Sequence, residues 1–262
     1  MAIATVDGRT IAYVRQGEGP PLVLLHGGLS DAREWRFQVP VLARSYDTVA
    51  WDAPGCGGSD DPPETFRMPE YADALVSVLD ALDVGQVHLV GLSWGSTLAI
   101  EAVRRHPDRV ASMVLASAYA GWKGSLAPEE VERRLTAALA DLALPPERLA
   151  RSFAPTLFTS DAPMSLVDET VSMMAEYHPG GVEPMLRAMA EADLRDALGE
   201  ILVPVLLLYG EEDVRSPREI AEALADSISG SQLRFLPGVR HQSNLEAPDA
   251  FNDAVLGFLA KV

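Results

Sequence analysis

Two periodicities alternate along the chain. Short apolar runs of strand length are separated by longer stretches whose apolar residues recur every three to four positions. Ile3–Val6 and Thr10–Arg15 flank Asp7-Gly8, a tight-turn dipeptide, and predict an opening hairpin. Pro21–Leu25 is apolar throughout, as expected of a strand covered on both faces. Asp47–Trp51, Gln86–Val90, Ala111–Ala116, Pro204–Tyr209 and Leu233–Leu236 complete the strand pattern. Amphipathic helices are expected at Ala32–Ala43, Pro69–Leu82, Ser96–Arg105, Arg218–Asp226 and Pro248–Ala260. The alternation predicts an α/β fold, a mostly parallel eight-stranded sheet flanked by helices.

The rhythm breaks between about Tyr119 and Gly199. That stretch is helical in pattern, has no convincing strand, and is punctuated by Pro145-Pro146, Pro155, Pro163 and His178-Pro179-Gly180-Gly181. It reads as a helical insertion (119–199) between two strands of a core formed by 1–118 and 200–262.

Composition narrows the class. A chain of 262 residues fits one large domain with an insertion, and it can bury its core without disulfides. Its single cysteine, Cys56, rules out an intrachain disulfide framework. A formal charge of -17 argues against nucleic acid or an anionic membrane as partner. No run approaches the roughly 20 apolar residues of a bilayer span. Residues 1–10 lack a secretory signature, so the expected location is cytoplasmic. No Cys/His cluster has metal-ligand spacing, so neither metal nor cofactor is expected. The expected partner is a small-molecule substrate.

The chemistry concentrates in four places. Gly91-Leu92-Ser93-Trp94-Gly95 lies between the apolar run Val87–Val90 and a helical run from Ser96. Strand, sharp turn and helix is the setting of a nucleophile elbow, which lifts a serine above a sheet at a helix N-terminus. A serine hydroxyl needs a base. Among five histidines, His88 sits in a buried strand pattern, His106 ends a helix, and His178 lies in the insertion. His241 follows the last strand, where a loop can project over the sheet edge that carries Ser93. The orienting acid should follow a strand between the two. Tyr209-Gly210-Glu211-Glu212-Asp213 supplies Asp213, with Glu211 and Glu212 as neighbouring alternatives. An oxyanion hole is expected from the Trp94 and Gly28 N–H groups, with Leu29 able to replace Gly28. His26 reads as a loop-stabilising hydrogen-bonder. Asp52-Ala53-Pro54-Gly55-Cys56-Gly57-Gly58-Ser59 is a tight turn without a phosphate-loop lysine, and Cys56 reads as a packing residue.

These motifs, in this order, resemble the α/β-hydrolase superfamily over essentially the whole chain. The resemblance implies the α/β-hydrolase fold, a Ser93–His241–Asp213 triad, and a cap, or lid, in the insertion. The elbow through Ala99, with His106-Pro107 and Gly55-Cys56-Gly57, is similar to the proline iminopeptidases. His26-Gly27-Gly28-Leu29-Ser30 departs from their H-G-G-P-G, and this chain is shorter. Those peptidases hold a free amine with cap glutamates, which makes Glu176 and Glu183 possible counterparts. His241-Gln242-Ser243-Asn244-Leu245-Glu246-Ala247-Pro248 and Phe251 instead resemble the 3-oxoadipate enol-lactonase and esterase branch, which usually has Met where this chain has Trp94.

The leading expectation is therefore a serine hydrolase of a small carboxylic ester or lactone. The alternatives are a proline-iminopeptidase-like aminopeptidase, a cofactor-free perhydrolase or haloperoxidase, and a ligand receptor that retains the fold. No basic run announces a cationic pocket. Met164, Met173, Met174, Met185 and Met189 in the insertion suit either an adaptable apolar pocket or ordinary helix packing, and Trp122 suits a pocket wall or an anchor.

Overall fold

The Asp7-Gly8 turn closes as its sequence dictates, with both residues at positive φ, 51° and 77°. It joins β1 (Ala2–Val6) to an antiparallel β2 (Arg9–Gln16). The computed structural model describes residues 1–262. The remaining strands are β3 (Pro21–Leu25), β4 (Asp47–Trp51), β5 (Val87–Leu92), β6 (Val110–Ala116), β7 (Val205–Gly210) and β8 (Gln232–Leu236). They form one sheet in the order β1-β2-β4-β3-β5-β6-β7-β8. From β4 to β8 every pairing is parallel.

Both faces of the central strands are buried, and their side chains alternate between two cores. Val23 and Leu25 of β3, with Leu207 and Tyr209 of β7, face α2 (Met68–Ala81), α3 (Trp94–Arg105) and α10 (Arg218–Ser227). Leu22 and Leu24, with Leu206 and Leu208, face α1 (Val39–Leu42) and α12 (Pro248–Leu259). The helix expected over Ala32–Ala43 is instead two short pieces, a 3-10 turn at Ala32–Trp35 and the single turn α1. Pro40 lies at the start of the second piece, because its missing N–H and its ring are tolerated only in a first turn.

Between β6 and β7 the chain forms only helices. They are α4 (Trp122–Ser125), α5 (Pro128–Asp141), α6 (Pro146–Leu157), α7 (Met164–Met174), α8 (Pro179–Glu191) and α9 (Arg195–Leu198). A further turn, α11 (Ser243–Glu246), precedes α12. No helix is long and apolar enough to cross a membrane.

The chain reverses its winding at β3, which lies between β4 and β5, so a crevice opens at the carboxyl ends of β3 and β5. Two glycines make this end of the sheet possible. A Cβ on Gly95 would stand 2.1 Å from the Leu25 carbonyl oxygen, and one on Gly91 2.4 Å from that of Gly95. Both obstacles are backbone, which cannot swing aside. Gly95→Ala is therefore expected to destabilise the protein by roughly 1–3 kcal/mol, read as a lowered urea midpoint. An unchanged midpoint would show that strand and helix do not need this approach.

Candidate active site

Ser93 is the hinge between β5 and α3. Its backbone sits at φ 52°, ψ −108°, a conformation that a non-glycine residue adopts only under constraint. The constraint is visible. Its N–H donates to the Ala116 carbonyl at 2.8 Å, and the single proton of the Ser96 hydroxyl is shared between the carbonyls of Gly91 and Ala116, at 2.7 and 2.9 Å. Ser93 is thereby lifted into the wall of a cavity of about 320 Å³ above the sheet.

His241 lines the same cavity. Its Nδ1 lies 2.8 Å from Asp213 Oδ2, and both side chains are buried. The other carboxylate oxygen accepts from the Arg215 and Ser216 N–H groups, at 2.8 and 3.0 Å. Burial pushes the Asp213 carboxyl up, but the charge and hydrogen bond of His241 and the Ser216 amide outweigh it and hold the group below its usual value. Glu211 and Glu212 are exposed, and neither pairs with the imidazole. With Nδ1 bound to Asp213, Nε2 is the ring nitrogen left for other partners. No hydrogen bond joins it to Ser93 Oγ, the looseness common where such contacts tighten only around a bound substrate.

Gly28, Leu29 and Trp94 border the cavity, and no backbone carbonyl accepts from their N–H groups. The Trp94 indole is buried beside this wall, edge-on to Tyr71 and stacked near His26. His26 is a loop fastener. Nδ1 lies 2.7 Å from the Gly27 carbonyl, and Nε2 accepts the Ala53 N–H at 3.0 Å. Asp52 accepts from the Ala32 and Gly58 amides, each at 2.8 Å, and a Cβ on Gly57 would strike its carboxylate. Cys56 is buried, and burial pushes its thiol well above the ordinary value, so it packs. His88 bonds Ser112, His106 bonds Asp73 and His178 bonds Asp61, all outside the cavity.

Several site residues carry no signal in the sequence. Glu34 is fully buried and accepts the Gly27 N–H at 2.7 Å and the Gln242 amide at 3.0 Å. It ties the Gly28 loop to the His241 loop, yet in the sequence it is one acidic residue in an amphipathic run. The cavity also has a cationic wall that the sequence does not announce. Arg133 and Arg134 of α5 and Arg215 beyond Asp213 all line it. Arg134 lies 2.7 Å from Glu130, which also takes Arg133. Tyr119 Oη donates to the Arg215 carbonyl.

The methionines divide. Met174, Met185 and Met189 line the cavity, Met173 is buried beside it in the packing of α6 and α7, and Met164 is exposed. Trp122 is a wall residue. Glu176 and Glu183 correct the amine-site expectation. They pair with Arg33 and Arg187 and do not line this cavity. Nowhere do three His, Cys, Asp or Glu side chains cluster so as to hold a metal ion.

Glu34→Ala leaves the Gly27 amide and the Gln242 side chain unpaired, so a loss of about 1–3 kcal/mol per buried group is expected. Glu34→Gln can keep both bonds, because Gln242 can flip and present its oxygen. Chemical denaturation should rank the wild type and Glu34→Gln close together and well above Glu34→Ala; equal losses in both variants would sink the network.

A family model described as alpha/beta hydrolase fold matches residues 20–248. The chain is 28% identical to an (E)-2-((N-methylformamido)methylene)succinate hydrolase of Acinetobacter baylyi, covering 97% of this chain and 95% of that protein. A thermophilic esterase from Thermogutta terrifontis superposes with a TM-score of 0.91 at 28% identity, covering 99% of this chain and 98% of the other. The enol-lactonase of Burkholderia xenovorans also reaches a TM-score of 0.91, at 26% identity over 99% and 100% of the two chains. With the elbow, the sheet order and the family match in agreement, the chain belongs to the α/β-hydrolase family and is a hydrolase.

Proposed function

We propose that the chain is a serine hydrolase of small carboxylic esters or lactones, working through Ser93, His241 and Asp213. The observation that carries this reading is the buried Asp213–His241 pair at 2.8 Å, whose histidine lines the cavity that Ser93 also lines. The named esterase and enol-lactonase relatives support the choice of bond.

In this reading Ser93 Oγ attacks the carbonyl carbon and gives its proton to His241 Nε2. Asp213 keeps the imidazole in the tautomer with Nδ1–H toward the carboxylate, and it stabilises the imidazolium that forms. The backbone N–H groups of Trp94 and Gly28 hold the developing oxyanion, each supplying roughly 3 kcal/mol of barrier lowering. The imidazolium returns its proton to the leaving alkoxide oxygen. Water, deprotonated by the same ring, then cleaves the acyl-enzyme to the acid and free Ser93.

The helical segment 119–199 is the cap in this scheme. α5, α6 and α8 supply much of the cavity wall, so the cap sets the shape of the substrate that reaches Ser93.

Ser93→Ala is expected to remove turnover of p-nitrophenyl butyrate and labelling by a fluorophosphonate probe, with the fold intact by circular dichroism. A folded Ser93→Ala protein that still hydrolyses the ester at the wild-type rate would refute the assignment.

A further inference from the structure

Arg215 is an arginine without a carboxylate. Its guanidinium bonds only the Thr156 hydroxyl, at 3.1 Å, and stacks over the Phe153 ring at 5.3 Å. Thr156, Phe153 and Arg215 all line the cavity that holds Ser93 and His241. Burial pushes this guanidinium down from the usual arginine value, and the neighbouring Arg134 pushes the same way.

The nearby acids are already engaged. Asp213 gives one oxygen to His241 and the other to two backbone amides. Glu130 is shared by Arg133 and Arg134. Asp141 also lines the cavity, but it stands seven residues beyond Arg134 on α5, about 10 Å farther along the helix axis. Arg134 spends donors on the Arg215 carbonyl, at 3.4 Å, and on Glu130. A half-buried guanidinium held by an aromatic face and one neutral hydroxyl keeps part of its planar fork free, and a carboxylate matches that fork with two oxygens.

We propose that Arg215 anchors a carboxylate of the substrate, so that the esters or lactones hydrolysed here carry a free carboxylate group. The proposal rests on the hydrolase reading above. It makes Arg215 a specificity residue whose backbone N–H steadies Asp213 while its side chain selects the ligand. Side-chain substitution leaves that N–H in place.

Two matched pairs test the proposal on either side of the scissile bond. They are the p-nitrophenyl monoester of glutarate against p-nitrophenyl pentanoate, and 4-acetoxybutanoate against butyl acetate. The wild type is expected to prefer the carboxylate in at least one pair by kcat/KM. Arg215→Gln should cut that anionic-to-neutral ratio by roughly 10- to 100-fold, the scale of a lost charge-assisted hydrogen bond. Arg215→Lys keeps the charge without the fork and should fall between. Glutarate binding to Ser93→Ala, followed by calorimetry, should weaken by a similar factor when Arg215→Gln is added. No preference in either pair, with Ser93 labelled by fluorophosphonate, overturns the inference and leaves the hydrolase reading standing. Turnover that survives Ser93→Ala overturns that reading instead, and Arg215-dependent glutarate binding would still bear out the anion site.

Discussion

The site depends on the near-collision of β3, β5 and α3 around one serine. Gly91 and Gly95 carry no Cβ, and in each case the space is filled by another backbone. Only at that separation can Ser93 sit at positive φ with its hydroxyl above the sheet and the Trp94 N–H free of intrahelical partners. A residue held in such a region costs of order 1–3 kcal/mol. The cost is tolerated because β5 is locked on both sides, to β3 and to β6, and because the Ser96 hydroxyl bridges the Gly91 and Ala116 carbonyls at the turn. Gly95 also presses on the His26 carbonyl, so the approach that strains the serine also positions the loop of Gly28.

Around this centre the loops are held by buried polar groups rather than by regular structure. Glu34, His26 and Asp52 accept backbone amides from Gly27, Ala53 and Gly58, all beyond the last paired residues of β3 and β4. The helical segment is fastened to the same loops at two places. Glu246 accepts from the Thr159 N–H and hydroxyl, while Gln242 N–H reaches the Leu157 carbonyl. On the other side Gly55 and Gly181 meet backbone to backbone, with His178 bonded to Asp61. The walls of the cavity are therefore tied directly to the strand ends that carry Ser93, Asp213 and His241.

What the sequence disclosed follows from this division. Strands, elbow, acid and histidine are local signals, each a fixed number of residues beyond an apolar run, so the sheet and the Asp213–His241 pairing were legible. The break at Pro40 was legible in principle, but the amphipathic period over Ala32–Ala43 masked it. Glu34 was hidden for the opposite reason, since burial of an isolated carboxylate shows only once Gly27 and Gln242 are seen to converge on it. The cationic wall was invisible because it is assembled from α5 and the loop after β7, which lie 81 positions apart. The same limit misplaced Glu176 and Glu183, whose partners are surface arginines.

The net charge of -17 and the arginine-lined cavity act in opposite directions on an anion, and distance and dielectric decide between them. Exposed acids act through water and are screened beyond a Debye length of about 8–10 Å in physiological salt. Charges partly enclosed by protein act through a lower dielectric and are screened far less. Of the acids around that cavity, Asp213 and Glu130 are occupied by His241, Arg133 and Arg134, and Asp141 stands farther along α5. The acidity of the whole molecule therefore describes its surface. On the proposal that Arg215 anchors a carboxylate, the few arginines that the fold draws together outweigh the total charge in deciding what the cavity attracts.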